Sequence, residues 1–574
     1  MRLGRGAAAL GLILAGTLLA AYVQTDGGAV TVHDVRFVGA TGNGMSGLLY
    51  VPDGARPESP APAVLAVHGY INSRETQSGF AIELARRGVV VLALDQTGHG
   101  YSDPPAFAAG FGGPDGLAHL RGLGFVDARR IGLEGHSMGG WAVQMAAASQ
   151  PDGYAAMVLE GSSTGTFGAP DGTPETPRNL AVVFSRYDEF SALMWDAGVP
   201  ADIVDTAKLK TLFGTAEPVR VGELYGDPAA GTARLLAMPA VTHPGDHLSS
   251  EAIGAAVAWF QARLAVTGPA PLEQVWYWKE LATLIALAGL LLLIFPVFDR
   301  LLGWRAFAAV RTDPVATVTW SRGRGAVNLL VTALLPVLLF FPLQTAAESL
   351  LPANPLLPQQ ITNGILLWAW GSGLVSLALF AVWLRGSGHS LGELGLPLSL
   401  PLAARAAGLA LGCCGVLYLV VVAAAFFLDV DFRFWVVALK TMAPFHVPLF
   451  LIYLPLFAVF FLVLSLCLHT QLGNAASWRR DLWRNGLVLS GGFVLLLVLQ
   501  YTPLLLGGTL LLPSQPLLTI VAFQFVVLLA VVAVVSTYCF ARTNNVYAGA
   551  FLNSVFVTWY IVAGTATQAV PFWF

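Results

Sequence analysis

Gly135-His136-Ser137-Met138-Gly139 sets a serine between two glycines in the pattern Gly-x-Ser-x-Gly. The chemistry that such a spacing serves is acyl transfer to a hydroxyl. A serine hydroxyl is a weak nucleophile, and a strand-to-helix turn too tight for bulky neighbours pushes it into the open beside a base. The flanks fit that turn. Residues 130–134 form a short apolar stretch of strand type, and residues 141–148 have helical composition without a breaker. Ser137 is therefore the expected nucleophile, and the N–H of Met138, where the helix starts, is placed to receive an oxyanion.

The elements that must hold this turn are legible on both sides of it. Upstream, residues 63–67 read as a buried strand running into His68-Gly69-Tyr70, and the chain then enters a helix near residues 77–87. That loop supplies the second oxyanion donor, the N–H of Tyr70. Residues 89–95 are another buried strand, so strand, helix and strand alternate at the spacing of a parallel sheet covered on both faces. His68, His99 and His136 fall in the loop motifs of this sheet and read as packing or turn residues.

Taken together, "VHGY", "DQTGHGYSD" and "VDARRIGLEGHSMGG" resemble the α/β-hydrolase superfamily, and within it the dienelactone-hydrolase and acyl-CoA-thioesterase-like branch. The resemblance covers about residues 30–265. It implies a mostly parallel sheet with helices on both faces, a catalytic acid after the serine, and a histidine after the acid. It does not name a substrate, because the fold hosts esterases, peptidases, thioesterases and acyltransferases.

The family pattern puts the acid after the apolar run 179–187, at Asp188; Glu189 beside it and Glu160 at the end of the run 156–160 are the alternatives. For the base, "THPGDHLSS" offers His243 and His247. The last helix begins near Ser249 or Ser250, a good N-cap, and "GDH" directly before it matches the family's final loop. His247 is preferred on that placement, with His243 as the alternative. Only about twenty residues separate the strand at 155–160 from that at 180–187, too few for a large cap, so the site is expected to be open. The extra length lies after Asp188, where residues 201–212 read as a helix that serves as a lid, a membrane-facing flap or plain surface.

Composition demands more than a soluble enzyme. Of 574 residues 56% are hydrophobic and 11% charged, with a mean hydropathy of +0.67, and residues 25–270 carry most of the acids. Residues 7–23 form an apolar run behind Arg2 and Arg5, read as a signal anchor since no clean cleavage site precedes Gln24. Further runs near 280–298, 326–345, 362–384, 405–428, 447–468, 486–505, 516–540 and 546–566 are each long enough to cross hydrocarbon. The domain order expected is thus an anchor (1–24), an α/β-hydrolase domain (25–266), a linker with interfacial aromatics (267–279) and an all-α transmembrane bundle of about eight helices (280–574). Arginines cluster in alternate loops, at 300–324, 385–405, 479–484 and 542, which by the positive-inside rule puts the N-terminus in the cytoplasm and the hydrolase domain and C-terminus outside. Trp276, Tyr277, Trp278 and Lys279 are expected as an interfacial belt.

Other function classes find little support. No His/Cys group has metal-ligand spacing, no Gly-rich phosphate loop is present, and a net charge of -3 gives no reason to invoke nucleic acid. Cys413, Cys414, Cys467 and Cys539 all lie in apolar spans and read as packing residues. The spans carry Asn328, Gln500, Gln524 and Asn553 but keep Asp, Glu, Lys and Arg at their ends, which argues against a pump or an intramembrane protease. Residues 541–559 resemble in outline the last motif of CAAX-type membrane proteases, yet the paired glutamates are missing and Asn553 stands where a histidine is expected. The expectation is a membrane-multi-pass serine hydrolase of acyl esters, thioesters or lipid-like molecules, without a cofactor and with no protein partner indicated. An acyltransferase with the same residues, or a transport or sensing protein whose hydrolase-like domain only binds ligand, is the alternative.

Overall fold

The computed structural model describes residues 2–474 and 477–574. The side chains of residues 2 and 3 lie outside it, and with them that of Arg2, counted ahead of the N-terminal apolar run. Helix α1 (Arg2–Gln24) opens the chain, followed by strands β1 (Val30–Val38), β2 (Gly44–Pro52), β3 (Ala61–Val67), β4 (Val90–Asp95), β5 (Val126–His136), β6 (Ala156–Glu160), β7 (Leu180–Val183), β8 (Leu224–Tyr225) and β9 (Arg234–Ala237). The helices among and after them are α2 (Ser78–Ala85), α3 (Gly113–Arg121), α4 (Met138–Ser149), α5 (Ser191–Trp195), α6 (Ala207–Phe213) and α7 (Ser250–Arg263).

The strands form one sheet in the order β1-β2-β4-β3-β5-β6-β7-β9-β8. The six from β4 to β9 run parallel, with β1, β2 and β8 antiparallel at the edges. Along β3 every residue is buried, since alternate side chains meet helices on opposite faces. Ala63, Leu65 and Val67 join Leu117 and Trp141 from the α3–α4 face, while Val64 and Ala66 join Phe80 and Val257 from the α2–α7 face. Because β3 connects back to β4 on one side and β5 leads to β6 on the other, the chain diverges between β3 and β5. A crevice opens there at the carboxyl ends of the strands, where open α/β sheets bind their ligands. This is the α/β-hydrolase fold.

The remainder is helical: α8 (Trp276–Leu302), α9 (Arg305–Ala308), α10 (Arg322–Leu338), α11 (Phe340–Leu350), α12 (Gln360–Ser387), α13 (Leu400–Leu428), α14 (His446–Gln471), α15 (Trp478–Gly507), α16 (Pro516–Thr543) and α17 (Tyr547–Gly564). A hairpin of β10 (Phe432–Phe434) and β11 (Val437–Leu439) joins α13 to α14. Among the described residues eight helices are long and apolar enough to cross a membrane, and α10 with α11, bent by 41° at their junction, make a ninth if taken as one span. The run expected as unbroken over 326–345 is that bent pair.

The carboxyl edge of the sheet rests on one end of this bundle. Glu83 of α2 caps α8, its Oε1 accepting the N–H of Val275 at 2.6 Å and of Trp276 at 3.0 Å. Thr567 exchanges backbone hydrogen bonds with Gly98 and Ala106, each 2.8 Å. Gln568 donates to the Tyr70 hydroxyl at 2.8 Å, and the Trp435 indole donates to the carbonyl of Pro244 at 2.7 Å. Two expectations are corrected by this seam. Trp276 and Lys279 are buried in it, with the Lys279 ammonium on Ser78 at 3.1 Å, so only Tyr277 and Trp278 are exposed as a belt requires. And the site is not open: short local connections leave it uncapped by its own domain, but Tyr70 and Ile71 pack against the bundle's core. Residues 201–212 do not form a single helix either. They fold as a 3-10 turn (Pro200–Asp205) and α6, with Ile203, Leu209 and Leu212 buried in the sheet's own core.

Candidate active site

Ser137 sits between β5 and α4 with φ 54° and ψ −121°, a backbone region that a non-glycine residue occupies only when its surroundings force it. The two glycines permit the turn. A Cβ on Gly135 would lie 2.2 Å from the carbonyl oxygen of Gly139, and one on Gly139 2.0 Å from that of Val67. The N–H of Ser137 donates to the carbonyl of Glu160 at 2.7 Å, which ties the turn to the end of β6.

Asp188 and His243 meet one strand further along that edge, beyond the end of β7. His243 Nδ1 lies 2.8 Å from Asp188 Oδ2, and the other carboxylate oxygen accepts the Phe190 N–H at 2.7 Å. A Cβ on Gly161 would come within 2.8 Å of His243 Nδ1 and 3.3 Å of Asp188 Oδ2. His136 Nε2 is 3.0 Å from the His243 carbonyl, so the residue before Ser137 touches the backbone of the histidine. Among the described residues no hydrogen bond closes from Ser137 Oγ to the imidazole; such bonds commonly tighten only around a substrate. Burial lowers the His243 pKa to about 4, so the ring is neutral at pH 7. Burial also raises Asp188, with the Asp246 charge adding to it and the Phe190 N–H opposing it.

The histidine on Asp188 is thus His243 and not His247. A bridge between Tyr187 and Thr242 pins the end of the β9 loop beside the Asp188 turn, so the next residue meets the carboxylate. The 3-10 turn that follows, His243–Leu248, has about three residues per turn, which rotates the fourth residue onward away from His243's face. His247 packs against His136 at 4.2 Å between ring centroids with the ring planes tilted by 51°, and neither of its ring nitrogens has a hydrogen-bond partner among the described residues.

The acidic alternatives have other neighbours. Glu160 is fully buried with both oxygens unpartnered, and burial, with the charges of Glu134 and Asp246 adding to it, pushes its pKa well above the usual carboxylate range. Glu189 reaches the backbone of His243, not its ring: Oε2 accepts the His243 N–H at 2.8 Å and Oε1 the Tyr501 hydroxyl at 2.5 Å. Burial and the neighbouring Asp188 raise its pKa to about 8 against the pull of those two donors.

The two amides expected as oxyanion donors lie on either side of Ser137. Met138 N–H is the first of α4 and has no carbonyl within its helix to bond. On the other side a Cβ on Gly69 would stand 3.1 Å from Ser137 Cβ, so this loop runs directly past the serine. Here His68 has a task the sequence did not disclose. Its Nδ1 is 2.7 Å from the Gly69 carbonyl, while Nε2 accepts the Gln96 N–H at 3.2 Å, which fixes Nδ1 as the donor. In a planar trans peptide a carbonyl held to one side turns the following N–H, that of Tyr70, to the other. Nothing local announced Tyr501 or Gln568 as neighbours of this site, since both come from the helical half more than 300 residues later.

The fold and this edge define a serine hydrolase of the α/β-hydrolase type. Residues 58–186 match the family described as serine aminopeptidase, S33. Solved structures similar to the chain include an esterase from Pyrococcus furiosus, 14% identical, covering 42% of this chain and 96% of its own, with a TM-score of 0.31. A hypothetical protein from Pseudomonas aeruginosa is 15% identical over 41% of this chain and 94% of its own, TM-score 0.30. An epoxide hydrolase from Mycobacterium thermoresistibile is 22% identical over 23% and 40%, TM-score 0.20. Among curated proteins none matches this chain.

Proposed function

We propose that the protein is a membrane-embedded serine hydrolase that cleaves acyl esters or thioesters through Ser137, His243 and Asp188, with its site on the extracytoplasmic side. The observation that carries this reading is the 2.8 Å contact of Asp188 Oδ2 with His243 Nδ1, made at the same sheet edge as the strained Ser137.

The steps follow from those groups. Ser137 Oγ attacks the acyl carbonyl carbon and gives its proton to His243 Nε2, while Asp188 accepts from Nδ1 and steadies the imidazolium. The carbonyl oxygen, now an oxyanion, takes hydrogen bonds from the amides of Met138 and Tyr70. Collapse breaks the bond to the leaving oxygen or sulfur, which takes the proton from His243. A water then repeats the sequence on the acyl-serine and releases a carboxylic acid.

Replacing Ser137 by Ala is the test. Membranes carrying the wild type are expected to label with a fluorophosphonate and to hydrolyse p-nitrophenyl esters; S137A should do neither while reaching the membrane in equal amount. Activity of S137A within a few fold of wild type would remove the serine from the mechanism.

A further inference from the structure

A narrow cavity of about 70 Å³ lies inside the helical bundle and opens beside the loop that carries Tyr70. Ile71, Asn72 and Ser73 line its mouth together with Arg433 of β10 and Lys440, the residue after β11, while Trp368, Phe460, Phe525 and Leu529 line its depth. Along α16 it runs from Val521 to Val532, about 16 Å at 1.5 Å per residue. That is roughly half of a ~30 Å hydrocarbon core, the reach of one leaflet. A cavity with a charged mouth and an apolar shaft one leaflet deep has the shape of a single lipid chain with its head group.

The mouth states the sign of that head group. Lys440 is only 5% exposed, and among the described residues its ammonium has neither a hydrogen bond nor an ion pair. Burial lowers its pKa, with Glu75 the acid that opposes this most. Glu75 is itself taken up by Ser73 at 2.5 Å and Arg74 at 3.3 Å. Arg433 is bonded to Asp431 at 2.9 Å and to Ser73 at 3.3 Å, so its charge is partly met where that of Lys440 is not. A buried, unpartnered ammonium is costly unless an anion comes to it. Ile71, between the expected oxyanion donor and the shaft, has φ +55°, a strained state for a β-branched residue that clusters at functional sites.

We propose that this cavity binds one long alkyl chain bearing an anionic head group, drawn from the leaflet next to the hydrolase. Resting on the hydrolytic reading above, the Ser137 site then acts on long-chain acyl lipids. The shared chemistry of the head is an oxyanion, the carboxylate of a fatty acid or the phosphate of a phospholipid.

The full chain, purified in a detergent free of lipid, is irradiated with hexadecanoic acid carrying a mid-chain diazirine, and separately with phosphatidylglycerol carrying the same chain. Adducts are expected on residues 365–369 of α12 and 525–532 of α16 with one or both probes; the fatty acid alone assigns the head as a carboxylate, and phosphatidylglycerol labelling assigns a phosphate. Leu529→Trp and, independently, Ala369→Phe fill the shaft and should cut the adducts at least tenfold, as should K440Q for an anionic probe but not for the methyl ester of the same acid. In L529W and A369F hydrolysis of p-nitrophenyl hexadecanoate should fall at least tenfold and that of the acetate by less than twofold, while K440Q, which meets no anionic head on these neutral esters, should leave both within about twofold. Adducts absent from these helices, or unchanged in folded L529W and A369F, overturn the proposal. S137A should label as wild type, so a chain that forms the adducts yet cleaves neither ester defeats the hydrolytic reading and leaves the lipid site standing.

Discussion

The Tyr501 hydroxyl, on α15, donates to Glu189 Oε1 at 2.5 Å, and the other oxygen of the same carboxylate holds the backbone N–H of His243 at 2.8 Å. Through Glu189 the helical bundle is thereby two hydrogen bonds from the loop that carries the proposed base. Tyr501→Phe removes a bond worth about 1 kcal/mol net, and kcat for a short ester is expected to fall about fivefold while the protein stays folded. An unchanged kcat would show that α15 does not position that loop.

The two histidines separate cleanly by mutation. His243→Ala is expected to lower kcat by about 10⁴-fold or more. His247→Phe, which keeps a ring against His136, should leave it within a few fold. Steady-state kinetics on the two purified variants decides, and the reverse pattern would exchange their roles.

Acid should affect the enzyme late. Burial holds the folded pKa of His243 at about 4, and the base must be unprotonated, so kcat/KM should stay level from neutral pH down to about 5 and fall through about 4. Stability has its own sign. Between pH ~6.5, the ordinary histidine value, and ~4 the unfolded chain binds the proton and the folded one does not, so stability falls as pH drops across that window. A pH–rate profile with its acid limb near 6.5 would mean that the ring is not buried as placed.

Topology can be read by chemistry at the bundle's other end. The helix ends bearing Arg300, Arg385, Arg405, Arg480 and Arg542 lie opposite those that meet the hydrolase. The four native cysteines are buried, so single cysteines introduced next to Arg311 and Arg480 should be shielded from an impermeant thiol reagent added to spheroplasts. One introduced at exposed Glu217 should react. Labelling at 311 and 480 from outside would invert the protein.

The fold was legible because its signals are local. Runs such as 63–67 and 89–95 read as buried strands, the glycines at 135 and 139 declared a turn with no room for side chains, and the apolar spans stand out by length alone. Choosing between His243 and His247 required knowing that Thr242 bridges to Tyr187. That pairing joins residues 55 positions apart and leaves no local pattern. The bundle end that covers the site was hidden for the same reason: short connections do exclude a local cap, but Tyr70 meets Gln568 across 498 positions. His68, which its motif marks only as a packing or turn residue, shows its role only when the direction of the Gly69 carbonyl is seen.

That last separation sets an order of events. A chain is made from its N-terminus, so β9 and α7 complete the hydrolase sheet while every helix from α8 to α17 is still to come. At roughly 5–20 residues per second, Gln568 follows Arg263 by about 15 to 60 s. During that interval the loop of Tyr70 has neither the glutamine on its hydroxyl nor the strap formed by Thr567 on Gly98 and Ala106. Ribosome-bound chains stalled at residue 560 should therefore react with a fluorophosphonate more slowly than released ones, and equal rates would show that the late contacts are dispensable. Thr567 and Gln568, made long after the loop they hold, act as a clasp on it, so the proposed serine site reaches its full reactivity only once the helical half is seated.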